Sequence, residues 1–141
     1  AACLPRVIRI GPYGRGNNRE YLKQLLSEKE KRPTAVVCAA DYHAIELFQA
    51  AYQLNIRVPD ELSIIGFGGL SPAKYSVVPL TTLEQPFEQI GFEAARMLLE
   101  HIVEQKVIDG QNIVLQNRLI TAESCAAPFT MQSNKKEGDL Q

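Results

Sequence analysis

Tryptophan is absent from this chain of 141 residues, histidine and methionine occur twice each, and cysteine three times. The thiols, Cys3, Cys38 and Cys125, are too few and too scattered for a disulfide framework or a zinc knuckle. Cys38 sits in an apolar run and reads as a small buried residue of a reduced, cytoplasmic protein. Excess charge is lacking too. Fifteen Lys and Arg against sixteen Asp and Glu leave a net charge of -1, so no overall field draws nucleic acid or an anionic membrane. No apolar run approaches the ~20 residues of a membrane span. The opening "AACLPRVIRIGPYG" has too short an apolar stretch for a signal peptide and lacks an initiator Met, so the chain is expected to be part of a longer one.

What is present suits one ordinary globular domain, with 45% apolar and 22% charged residues. Short β-rich runs alternate with helical periodicities. "RVIRI" (6–10) reads as a strand ending at Gly11-Pro12, and "GPYGRGNN" as a loop. Asn17 is placed to cap a helix with Glu20 as capping-box partner, and Leu22, Leu25 and Leu26 mark that helix's inner face. "TAVVCA" (34–39) is a continuous apolar strand of the kind buried on both faces of a parallel sheet. Asp41 is expected to be the N-cap of a second helix, with Ala44, Ile45, Phe48, Ala51 and Tyr52 as its stripe. The run 62–65 is the next buried strand, followed by a Gly/Pro loop to Pro79 and a short extended piece, "LTTL". Pro86 begins a third helix with Phe87, Ile90, Ala94, Ala95, Leu98, Leu99 and Ile102 inside, and 112–120 is a final strand. The order predicts an α/β fold: a parallel sheet with flanking helices, in which strands near 6–10, 35–38 and 62–65 are neighbours. The polar tail 126–141 is expected to be disordered.

Little here carries enzyme chemistry. "GPYGRGNN" has phosphate-loop glycine spacing, but Asn17 and Asn18 stand where the lysine and hydroxyl are needed. "GFGGLS" puts Ser71 at the third glycine position of a dinucleotide fingerprint, with Pro72 after it. His43 and Glu46 read as a surface pair rather than a metal site, and Asp60-Glu61 as solvated carboxylates. No catalytic residue, metal or cofactor is expected.

A longer constellation is more specific. "RPTAVV", "AAD" before a helix, "IRVPDELSIIGF", "PLTT", "EQIGFEAARMLL" and a terminal "AESC" occur in order over roughly residues 30–125. Together they resemble the lac/gal repressor family of bacterial transcription regulators, in the C-terminal part of its effector-binding module. The resemblance implies an incomplete periplasmic-binding-protein-like fold: mostly the C-terminal lobe (within 1–125), with helix 86–103 belonging to the other lobe. It implies a non-enzymatic, cytoplasmic regulator that senses a small, sugar-like effector and binds operator DNA as a dimer through an N-terminal domain outside this chain. A periplasmic sugar receptor sharing the fold, or a pure dimerisation module, are the alternatives. With its apolar stripe lacking its normal sheet, helix 86–103 should drive association into a homodimer or higher oligomer.

The resemblance also assigns positions. Effector-binding candidates are Ala40, Asp41, Gly68, Gln85 and Phe87, and dimer-interface candidates are Tyr42, Tyr75, Val77 and Val78. Two depart from the family pattern: Gly68 stands where an acidic residue is common, and Ala40 where Asn is common. Two polar groups that would bond ligand hydroxyls are thereby lost, while Gln85 and Phe87 keep a wall for a ring. Restoring Asp at 68 and Asn at 40 is expected to raise affinity for a hydroxyl-rich ligand.

Overall fold

The computed structural model describes residues 7–9, 11, 18–28, 30–105 and 112–127. In chain order its elements are α1 (Asn18–Ser27), β1 (Ala35–Val37), α2 (Asp41–Gln53), β2 (Ser63–Gly68), α3 (Ser71–Lys74), β3 (Thr81–Glu84), α4 (Phe87–Glu104) and β4 (Arg118–Ile120). One sheet has the order β1-β2-β3-β4. β1, β2 and β3 run parallel, and β4 is antiparallel to β3, so the sheet is mixed rather than purely parallel. The parallel pairing expected of 35–38 and 62–65 is present, with Val36 opposite Ile64. "LTTL", expected only as an extended piece, supplies the third parallel strand. Of the strand expected at 6–10, residues 7–9 carry no regular structure, and Arg6 and Ile10 lie outside the described residues. Asn17 and most of the tail lie outside them as well. The final strand is shorter than expected: only Arg118–Ile120 pair, and residues 112–117 run irregularly.

The core lies on one face of the sheet. Leu22 and Leu26 of α1, Ala44, Leu47, Ala50 and Ala51 of α2, and Leu62, Ile64, Ala73 and Leu80 form it with Cys38 and Ile56. The α2 stripe is therefore turned from the expected one. Leu47 and Ala50 are buried, Ile45 and Phe48 are not fully covered, and Tyr52 is 83% exposed. The cause is Asp41, which also points inward and draws the 41-44-47-51 line of the helix onto the sheet. β1 is covered on one face only, since Ala35 and Val37 are exposed. α4 has no buried residue, and Phe92, Leu98, Leu99, Ile102 and Val103 stand more than half exposed.

Two sets of polar contacts bind the loops. Ser124, fully buried, accepts the Thr81 N–H at 2.8 Å and donates to Ile64 O at 2.5 Å, while Ile64 N–H donates to Ser124 O at 2.9 Å. The "AESC" segment thus straps β2 to β3. In the turn just before β2, Glu61 accepts from Arg32 Nη2 at 3.1 Å and from the Arg57 N–H and Nε at 3.2 Å. Glu61 is therefore not a solvated carboxylate but a clasp. The Arg57 backbone and side-chain bonds, followed by Arg32, hold its carboxyl below the usual glutamate range. A depressed carboxyl adds stability above its unfolded pKa, which is lost as pH falls through the folded value. Glu61→Gln should therefore lower the urea midpoint near neutrality, and the gap to wild type should close as pH falls below the ordinary glutamate range, leaving a flatter acid limb.

Candidate functional site

The carboxyl ends of parallel strands are where open α/β sheets hold ligands. Three such ends converge here. β1 leads through Cys38 to Ala40 at the start of α2, β2 ends in Gly68-Gly69-Leu70, and β3 ends in Glu84-Gln85 before α4. Their backbones touch: Gln85 N–H donates to Gly68 O at 3.3 Å, and Phe87 N–H to Gln85 O at 2.9 Å. Ala40, Gly68, Gln85 and Phe87 are therefore gathered on one edge. Phe87 is 53% exposed, Ala40 and Gln85 are half-buried, and Gly68 is buried.

Asp41 is placed differently from its expected role. The N-cap of α2 is Ala40, in extended conformation and with no side-chain cap. Asp41 is the first helical residue, 0% exposed, and its carboxylate points into the sheet. Oδ1 accepts the Thr82 hydroxyl at 2.6 Å, and Oδ2 accepts the Leu70 N–H at 2.6 Å. A buried carboxylate is tolerable only when bonded in this way. The glycines make its room. A Cβ on Gly66 would collide with Asp41 Oδ1 and come within 2.7 Å of Leu80 Cδ2. A Cβ on Gly68 would lie 3.5 Å from Asp41 Oδ2. Gly69, at φ +73°, faces the Glu84 backbone so closely that a Cβ would sit 2.8 Å from its Cα. Gly66 is thus required by the buried carboxylate, Gly68 by its φ of +127°, and Gly69 by its φ of +73° and the close approach of Glu84. Sequence reasoning does not single out Thr82, Leu70 or Gly66 as parts of the site. The clue available in sequence is glycine at alternate positions, 66 and 68, of a strand whose inner face must then accept something bulky from elsewhere.

Glu84 accepts Arg118 Nη2 at 2.7 Å and Nε at 2.9 Å. His43 and Glu46 do not form a surface pair: Glu46 is buried and accepts from Asn18 Nδ2 at 3.3 Å, and His43 Nε2 is buried without a hydrogen-bond partner. Among the described residues no cluster of three His, Cys, Asp or Glu could hold a metal, and no helix is long and apolar enough to cross a membrane. Two surface hollows are present, one along Tyr21 and Leu54 and one along the first turns of α4 with Glu88, Phe92 and Leu115. The dimer candidates Tyr42, Tyr75 and Val77 are exposed, and Val78 is half-buried.

Cys38, two residues before Ala40, is buried in the core. Burial, with the Asp41 carboxylate as a second cause, pushes its thiol up to about 12. The reactive thiolate is then scarce at neutral pH. In the folded chain at pH 8, mass spectrometry after iodoacetamide treatment should find Cys38 unmodified; labelling should require denaturant.

Residues 2–125 match the family model described as periplasmic binding protein-like domain. The chain is 40% identical over 109 residues to the HTH-type transcriptional repressor PurR of Proteus mirabilis (strain HI4320), a match covering 77% of this chain and 31% of that repressor. It therefore spans about a third of the length of the curated relatives it matches. Among solved structures it resembles the dimeric Lac repressor with an 11-residue C-terminal deletion, at TM-score 0.70, 26% identity, and coverage of 79% of this chain and 40% of that one. It also resembles a LacI family transcriptional regulator from Lactobacillus casei with bound sucrose, at TM-score 0.65, 26% identity, and coverage of 77% and 39%.

Proposed function

The chain belongs to the periplasmic binding protein-like domain family, in the branch of the lac/gal repressors, and on that premise we propose that it is the effector-binding and dimerisation part of a ligand-responsive transcription regulator. The observation that carries the reading is the convergence of Ala40, Gly68, Gln85 and Phe87 on the carboxyl ends of three parallel strands. The effector is a small, sugar-like molecule. Phe87 stacks on its ring, Gln85 bonds its edge, and Asp41 acts from behind by fixing the turn. Relatives support the class: the Lactobacillus casei regulator holds sucrose. The regulator is cytoplasmic and has no enzymatic activity. Operator DNA is bound by a DNA-binding domain outside this chain.

Helix α4 belongs to the second lobe, which explains an amphipathic helix without a single buried residue. Tyr42, Tyr75, Val77 and Val78 form the dimer surface, in keeping with the exposure of the first three. The experiment is calorimetry on the complete two-lobed regulator with a panel of mono- and disaccharides. A sugar that binds should bind about tenfold more weakly to Phe87→Ala and to Gln85→Ala, the loss of one ring contact or one hydrogen bond. Unchanged affinity in both variants would remove the reading of this edge as the effector site. Sedimentation of Tyr75→Glu/Val77→Glu tests the dimer surface, with monomer as the expected result.

A further inference from the structure

The effector edge has two sides, and one sealed carboxylate joins them. On the first side Leu70 opens α3: its carbonyl accepts the Ala73 N–H at 3.0 Å, and Ala73 O accepts the Leu80 N–H at 3.1 Å. Beyond α3 lie the exposed Tyr75 and Val77. On the second side Thr82 sits in β3, which runs directly into Gln85, Phe87 and α4. Thr82 and Leu70 share Asp41, one donor to each oxygen, both at 2.6 Å. Hydrogen bonds to an ionised acceptor out of water are short and strong, and each polarises the other. The carboxylate also lies hard against the Gly66 backbone, in the space that a Cβ there would fill. A rigid body so held passes on a displacement rather than absorbing it.

From these contacts we infer that Asp41 is a positioning residue that relays displacement between the end of β3, at Gln85 and Phe87, and the segment formed by Leu70 and α3; the inference rests on reading this edge as the effector side. Asp41 does not touch the effector. When a ligand draws in the β3 end, the Thr82 hydroxyl moves with it, Asp41 follows, and the Leu70 N–H carries the shift into α3 and towards Tyr75 and Val77. The glycine turn is then a hinge read by its backbone.

The test needs no ligand. Amide hydrogen exchange by NMR on the full chain reports Leu70, whose N–H bonds Asp41 rather than Thr82. Thr82→Val removes the hydroxyl and keeps the branched shape, and Thr82→Ser keeps the hydroxyl. The Leu70 amide should exchange about tenfold faster in Thr82→Val and near the wild-type rate in Thr82→Ser. The amides of Leu54 and Ile64, bonded elsewhere, should not change. In an Asp41→Ala background, Thr82→Val should add nothing further at Leu70; if that background does not fold, the Val-against-Ser comparison decides alone. An unchanged Leu70 amide in Thr82→Val, or equal acceleration of Leu54 and Ile64, would overturn the relay. Failure of every sugar to bind the complete regulator would count against the effector reading and leave the Leu70 result standing.

Discussion

Gly66→Ala should destabilise the chain by about 2–5 kcal/mol, a combination of overpacking and a displaced buried carboxylate. The added methyl falls on Asp41 Oδ1 and within 2.7 Å of Leu80 Cδ2. Neither neighbour has a free direction. Leu80 is 2% exposed within the core, and Asp41 is fully buried and bonded on both oxygens. Moving the carboxylate away from Gly66 breaks the Thr82 bond or the Leu70 bond and leaves a buried charge short of a donor, which alone costs about 1–3 kcal/mol. Urea denaturation measures the loss. Gly91→Ala is the control: nothing lies within 4 Å of that Cβ position, which sits within α4. It should raise helical stability by about 0.5–1 kcal/mol through propensity alone. A Gly66→Ala midpoint close to wild type would mean that Asp41 is not where these contacts put it.

Much of this architecture is legible in the chain, and the departures have physical causes. β2 and the α1 face are readable because Ile64, Leu22 and Leu26 are apolar at the period of their element and are buried as the period demands. "TAVVC" is uniformly apolar and so suits a strand covered on both faces, yet Val37 of β1 is 74% exposed. Composition reports what a strand is suited to, not whether a neighbour is present to cover it. The pairing direction of β4 is equally invisible locally, since three residues carry no mark of orientation. The α2 stripe departs from its expected line because Asp41 does not face outward as a cap. A carboxylate at the start of a helix is usually capping or solvated. Only the two alternate glycines of β2 and the hydroxyl of Thr82 show that this one turns inward. The positions gathered at the strand ends come from the family resemblance, and the geometry adds the reason they are neighbours: β1, β2 and β3 are adjacent and parallel.

The two substitutions that would return the family's polar groups should act in opposite directions. Ala40 is the N-cap of α2, with φ -156° and ψ 153° and no capping side chain. Asn is among the best residues for that place, so Ala40→Asn should stabilise by about 1 kcal/mol and add a polar group at the proposed effector edge. Gly68 is different. Its φ of +127° lies where side chains are rarely accommodated, at a strain of about 1–3 kcal/mol. Its Cβ position is also 3.5 Å from Asp41 Oδ2. Gly68→Asp would therefore set a second carboxylate beside the first in a water-poor place, where two like charges cannot both ionise comfortably. The expected result is a loss of about 2 kcal/mol or more in urea denaturation, with no gain for a hydroxyl-rich ligand until the turn changes conformation. The positive φ of Gly68 thus sets a strain cost against the affinity gain expected from Asp at 68. Asp41→Asn combined with Gly68→Asp removes the charge conflict but not the strain, and should recover only part of the loss. Full recovery would assign the cost to electrostatics alone, and a Gly68→Asp protein as stable as wild type would show that the glycine turn is free to re-form around an aspartate.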